Sequence, residues 1–149
     1  MEIRIATADD QAALVEFNQA MAMETEGKSL EADVLSKGVA AVFTDSNKGF
    51  YAVADSDGTI AAGLMVTFEW SDWRNKWFWW IQSVYVRPEF RGQAVYTKLY
   101  DFVKYKAAES GNVCGFRLYV EHDNERAQAV YKKVGMTESH YLMYEEEQK

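Results

Sequence analysis

Residues 77–86, Trp-Phe-Trp-Trp-Ile-Gln-Ser-Val-Tyr-Val, form a long, largely apolar run that halts at Arg87-Pro88, which holds the only proline in the chain. Aromatic and β-branched residues at this density predict a strand. Proline ends it, because it cannot donate to a ladder and restricts the residue before it. Arg91-Gly92 follows as a tight turn, and residues 93–109 then read as an amphipathic helix with Leu99, Phe102, Val103 and Ala107 on its buried stripe. A buried strand feeding a turn and a helix requires a sheet covered by helices, so the chain belongs to the mixed α/β class.

The flanking segments extend that order. Ile3 and Ile5 alternate with Glu2 and Arg4 as a first strand, and Thr7 with Asp9 and Asp10 opens a helix over about 8 to 23. Ser29 is read as the cap of a second helix through Leu30, Val34, Leu35 and Val39. Residues 50–54 and 60–68 form a hairpin across Asp55-Ser-Asp-Gly-Thr. Residues 116–121 read as a further strand, Asn124 caps a helix closed by Gly135, and residues 136–144 alternate as a final strand. The order is β-α-α-β-β-β-α-β-α-β, with residues 1–149 read as one domain.

Composition excludes several classes. With 16 basic against 23 acidic side chains the formal charge is −7, unsuited to general nucleic-acid binding, which needs a basic surface. No run approaches the ~20 apolar residues of a membrane helix, and Met1-Glu-Ile-Arg-Ile lacks the basic-then-apolar plan of a signal segment. One cysteine, Cys114, leaves no disulfide framework and makes the cytoplasm the expected location. Two histidines and one cysteine do not make a Cys/His zinc cluster, and no metal is expected.

Charge and aromatics are unevenly spread. Residues 1–33 carry eight acids against Arg4 and Lys28, whereas residues 87–106 carry Arg87, Arg91, Lys98, Lys104 and Lys106 against Glu89 and Asp101. The first region suits a cation and the second an anion, although each by itself is also what a solvated helix face looks like. All five tryptophans fall between Trp70 and Trp80. Exposed aromatics of this kind line either a cation-friendly acceptor pocket or a dimer interface. A homodimer is expected.

The chemistry concentrates at Arg91-Gly92-Gln93-Ala94-Val95-Tyr96-Thr97. Backbone N–H groups at a helix start, with the helix dipole, make an anion site fit for a pyrophosphate. By itself one such turn also reads as an ordinary connection. The stretch resembles motif A of the GCN5-related N-acetyltransferase (GNAT) superfamily, an apolar strand followed by Arg/Gln-x-x-Gly-x-Gly/Ala. Asn124-Glu-Arg-Ala127-Gln-Ala-Val-Tyr131-Lys-Lys-Val-Gly135-Met136 is similar to its motif B. The region from Trp70 to Val86 resembles the polyamine and small-amine branch.

That resemblance implies a central, mostly antiparallel sheet whose 77–86 and 116–121 strands are parallel and splay apart around acetyl-CoA, the co-substrate. The pantetheine arm would pair with backbone groups of Val84 and Val86. The pyrophosphate would sit on the Gly92–Thr97 amides beside Arg91, with Asn124 and Arg126 (or Lys133) completing the coenzyme site. A backbone N–H near Val84 would polarise the thioester, and Tyr131 would protonate the departing thiolate. The acceptor would be a small cationic amine held by Glu24, Glu26, Trp70 and Asp72, with Trp73 nearby. Gln82 stands where some relatives place a carboxylate and cannot be a base; Glu24, Glu26, Glu69, Asp72 or a water chain would serve, or the amine binds neutral. Ala94 and Tyr96 stand where glycine or small residues are usual. Two other readings are a protein N-terminal or lysine acetyltransferase and a non-catalytic acyl-CoA-binding domain. His122 and Cys114 are read as structural.

Overall fold

The computed structural model describes residues 1–149 as two compact units, Met1–Leu118 and Tyr119–Lys149. In the first, β1 (Glu2–Ile5) leads through a short 3-10 turn to α1 (Gln11–Glu26) and α2 (Ala32–Thr44). β2 (Phe50–Ser56), β3 (Thr59–Ser71) and β4 (Lys76–Val86) follow, then α3 (Val95–Ser110) and β5 (Val113–Arg117). One sheet holds all five strands in sequence order; only β4 and β5 run parallel.

Local chemistry accounts for most of these elements. Asp57 and Gly58, both at positive φ, make the two-residue β2–β3 turn. Asp10 is buried yet ionised, because Arg4 donates to both its oxygens (2.8 and 3.1 Å) and the Thr7 N–H donates to Oδ2 at 2.8 Å. The Arg4 guanidinium holds this carboxyl below the usual range. α1 runs a turn beyond the expected residue 23 and ends at Gly27 (φ 64). α2 starts after Glu31 rather than Ser29. β5 (Val113–Arg117) begins three residues before the expected 116–121, its start set by parallel pairing from Trp77↔Val113 to Trp80↔Arg117.

One core packs α1 and α2 against one sheet face through Leu14, Phe17, Val39, Tyr51, Val53 and Tyr85. Gly63 lies on that face, where an added Cβ would stand 3.1 Å from Leu14. By alternation Met65, Thr67 and Glu69 share it. On the opposite face Phe68 and Trp70 of β3 meet Trp77 and Trp79 of β4, with ring centroids 4.9–6.2 Å apart. Cross-strand aromatic pairs of this kind stabilise sheets, and they explain most of the tryptophan window. Trp73, at the hairpin tip, is 89% exposed.

The second unit contains α4 (Glu125–Lys133). Asn124 Oδ1 accepts the Ala127 N–H at 3.1 Å as its cap, and Lys132 and Lys133 sit in its last turn, favourably for the dipole. Taken by itself, this unit has no regular element after α4: its residues 137–149 are neither helix nor strand. A strand needs a neighbouring backbone, so the alternation of residues 136–144 can be expressed only against strands outside this unit. No helix is long and apolar enough to cross a membrane.

Candidate active site

β4 is paired with β5 only as far as Trp80↔Arg117. From Ile81 to Val86 its edge on that side is open, so the two parallel strands part midway along β4, as expected. On its other side β4 follows β3 until Met65↔Gln82 and resumes at Gly63↔Tyr85. Ser83 and Val84 therefore oppose Leu64 alone, in a bulge whose Ser83 has φ 52. The extra residue interrupts the ladder at the place where the family resemblance expects a thioester-polarising N–H, and Val84 and Val86 lie on the open stretch.

The bulge also reorders side chains. Gln82 and Tyr85, three apart, would point to opposite faces of a regular strand; here both face α1. Gln82 Nε2 donates to Thr67 Oγ1 at 2.6 Å, and the Tyr85 ring lies 5.2 Å from that of Phe17.

Beyond β4, a 3-10 turn at Pro88–Phe90 leads to Arg91, then Gly92 (φ 79), Gln93 and Ala94 (φ 59). Gly92 is there for its conformation, since a Cβ would meet nothing within 4 Å. Ala94 takes the left-handed geometry that the family's glycine would supply. It caps α3 without a side-chain hydrogen bond, so the N–H groups of Val95, Tyr96 and Thr97 remain at the helix start for an anion. The Tyr96 and Val95 side chains are buried, away from that end, so the bulk of Tyr96 does not crowd the loop. These features fit acetyl-CoA: an open strand edge for an extended arm, a bulge at its middle, and an amide-lined turn for two phosphates.

Arg91 is differently engaged than expected. Its Nη2 donates to Glu24 Oε1 at 2.9 Å and its Nε to the Val86 carbonyl at 2.9 Å. Tyr85 donates to the other Glu24 oxygen at 2.7 Å. These bonds, the Tyr85 one first, hold Glu24 below the usual carboxylate range; burial and then Glu24 push the Tyr85 hydroxyl up. The residue expected to attract an amine and the one expected to attract a phosphate are thus each other's partner.

The other acceptor residues do not gather around Glu24. Asp72 lies in the hairpin beyond Ser71↔Lys76, nine residues along β4 from Tyr85, or about 30 Å at 3.3 Å per residue. Trp70 stands near that same end, packed edge-to-face with Trp77. Glu26 pairs with Lys28 at 3.8 Å. Glu69, a candidate base from the sequence, sits in a second cluster on the α1 side of the sheet whose other members, Trp80 and Arg117, sequence reasoning missed. Trp80 Nε1 donates to Glu69 Oε1 at 2.7 Å, and Arg117 Nη1 donates to both Glu69 oxygens. The Arg117 guanidinium covers the Phe78 ring at 3.6 Å. Trp80, then Arg117, hold Glu69 ionised below its ordinary range. Parallel pairing of Trp80 with Arg117 creates this cluster, and no local motif announces it.

In the second unit Tyr131 lies on α4, where burial pushes its hydroxyl up. Asn124 is occupied in capping, Arg126 and His122 are exposed, and Gln128 Nε2 donates to the carbonyls of Glu121 and His122. Cys114 donates to the Trp77 carbonyl at 3.3 Å within the sheet.

A profile of the acetyltransferase (GNAT) family matches residues 14–136. No functionally curated protein matches the sequence. Among solved structures, a possible acetyltransferase from Clostridium difficile 630 is similar at 45% identity and a TM-score of 0.92, covering 99% of this chain and 97% of that one. A predicted acetyltransferase from Clostridium acetobutylicum, solved with acetyl-CoA, is 20% identical with a TM-score of 0.79 over 97% and 95% of the two chains. The aminoglycoside 6'-N-acetyltransferase of Acinetobacter haemolyticus is 16% identical with a TM-score of 0.81 over 100% and 99%. At those two identities the likeness is one of fold. With a strand edge opened at its bulge, an amide-lined turn behind it and a family profile spanning both, the chain belongs to the GNAT acetyltransferase family.

Proposed function

We propose that this protein is an acetyl-CoA-dependent N-acetyltransferase that acts on a small, cationic primary amine by direct transfer in a ternary complex. The observation that carries the reading is the continuous strip from the Ser83–Val84 bulge along the open β4 edge to Gly92 and the start of α3. Acetyl-CoA supplies an activated acyl group as a thioester. The amine nitrogen bonds to the acyl carbon as the carbon–sulfur bond breaks; the amine loses a proton and the thiolate gains one. An N–H at the bulge polarises the thioester carbonyl. The Gly92–Thr97 amides hold the pyrophosphate, and Tyr131, in the motif-B position, protonates the sulfur. Asn124 and Arg126 belong to the coenzyme site on the same motif.

For the acceptor, the favoured surface is the α1 side of β4 beside the bulge. Gln82 and Thr67 orient the amine by hydrogen bonds, and Glu69 attracts its charge. Glu69 is a poor base because Trp80 and Arg117 keep it ionised, so the amine reacts after losing its proton to water. Glu24 reinforces the negative field, reduced by Arg91. Glu26, Trp70 and Asp72 serve outer steps of acceptor capture rather than one shared pocket. A cytoplasmic setting goes with this reading.

A thiol-release assay across polyamines, aminoglycosides, amino acids and peptides tests it. Turnover with a small polycationic amine is expected. Turnover with peptides alone would favour the protein-acetylating reading, and tight acetyl-CoA binding without turnover would favour a binding domain.

A further inference from the structure

Glu24 lies in the last turn of α1, which contains no basic residue. The C-terminal end of a helix is its negative pole, where acids are disfavoured and cations favoured, so a carboxylate there calls for a cation from elsewhere. Arg91 supplies it: Nη2 stands 2.9 Å from Glu24 Oε1 and 3.3 Å from Oε2. The pair is open to water, the two side chains being 36% and 42% exposed. An exposed pair of this kind favours its closed form by a factor of only about two.

Other bonds hold both residues when the pair opens. Tyr85 donates to Glu24 Oε2 at 2.7 Å, and Arg91 Nε donates to the Val86 carbonyl at 2.9 Å. The guanidinium is thus hinged at Nε, and its Nη end is the part that can change partner. Arg91 also opens the 91–97 turn and is the only basic side chain in it. A pyrophosphate on the Gly92–Thr97 amides meets a cation already neutralised by Glu24. A charge-assisted bond to phosphate is stronger than an exposed ion pair, so the phosphate wins the Nη donors.

We propose that Arg91 is exchanged between the two substrate sites. In the free protein it masks Glu24; with coenzyme in place its Nη donors go to the pyrophosphate, and Glu24, held by Tyr85, attracts the cationic acceptor. Glu24 is then a specificity-determining residue for a cation, unmasked only when acetyl-CoA is bound. The inference rests on the coenzyme and acceptor surfaces proposed above. By linkage each ligand tightens the other by the same factor, about fivefold for groups that meet water, the low end of coupling between sites.

A crystal structure of the full chain with acetyl-CoA should show an Arg91 Nη on a phosphate oxygen and Glu24 still bonded to Tyr85. Calorimetry with spermidine as the cationic probe gives a second readout. Coenzyme A should tighten spermidine binding by the parent chain about fivefold. Arg91→Ala should bind spermidine that tightly without coenzyme, and adding Glu24→Gln should abolish the gain. An intact Arg91–Glu24 pair in the acetyl-CoA complex would overturn the exchange and leave the acetyltransferase reading standing. The same holds for a gain in Arg91→Ala that survives Glu24→Gln, or for spermidine binding indifferent to coenzyme A. A parent chain that binds no acetyl-CoA would overturn both.

Discussion

The Tyr85 hydroxyl donates to Glu24 at 2.7 Å, while Arg91 reaches the same carboxylate at 2.9 Å from the loop after β4. α1 is thereby fastened to the strand and the turn that would carry the coenzyme. A second pair, Arg87 with Glu16 at 2.9 Å, does the same one step earlier. Tyr85→Phe should lower stability by about 1 kcal/mol, the net worth of one hydrogen bond to a half-exposed acid, and raise the Glu24 pKa. A double-mutant cycle of Glu24→Gln with Arg91→Ala should give a coupling of roughly 0.5 kcal/mol, because both side chains meet water. Urea unfolding measures both. Zero coupling would mean that the Arg91 contact is not maintained in solution.

Ala94 holds φ 59 at the start of α3. A non-glycine residue pays about 1 kcal/mol for that geometry. Ala94→Gly should recover it as added stability, partly offset by glycine's larger unfolded-state entropy, with coenzyme affinity kept or improved. Ala94→Val should weaken acetyl-CoA binding at least tenfold by calorimetry, because a β-branched residue there displaces the Gly92–Thr97 amides.

Gly115 faces Phe78 across the parallel β4–β5 pair, and a Cβ would stand 2.9 Å from the ring. Phe78 is buried under the Arg117 guanidinium and has little room to yield. Gly115→Ala should destabilise by about 1–3 kcal/mol, the cost of overpacking. Thermal unfolding would register it, and an unchanged midpoint would show that the strands shift freely where they part.

Asp10 is buried and held ionised by Arg4. Its folded-state pKa is lowered, so its contribution is present above the ordinary carboxylate pKa and is lost as pH falls through the depressed folded value. Asp10→Asn should cost about 1–3 kcal/mol near neutrality, because Arg4 keeps only the Asp55 carboxylate, at 3.1 Å, as a hydrogen-bonded charged partner, and the gap between variant and parent should narrow as pH falls below the ordinary carboxylate pKa. A gap constant with pH would assign the loss to packing.

Tyr131 is tested by Tyr131→Phe. If its hydroxyl protonates the thiolate, kcat should fall at least tenfold while acetyl-CoA affinity changes little. Equal losses in both would make it a binding residue.

Much of this was readable without coordinates. The element order from the first strand through α4, the strand–turn–helix at Val86–Val95 and the Asn124 cap are local matters, decided by side-chain periodicity, proline and glycine. The two motifs that identify the family are likewise contiguous stretches of sequence. Element ends were less readable: β5 begins at Val113 rather than at the expected 116, because its start is set by the parallel partner Trp77 and not by its own periodicity.

What the sequence determined by itself is therefore the set of elements, the family and the amide-lined turn, each written in residues close together along the chain. The tertiary structure decided which charged groups meet: Glu24 with Arg91, and Glu69 with Trp80 and Arg117, across separations of 67, 11 and 48 residues. It also decided that Gln82 and Tyr85 share a face, through one extra residue at Ser83–Val84. The reason is physical. Propensity and periodicity act over a few residues, whereas an ion pair or a bulge exists only once a partner strand fixes the register.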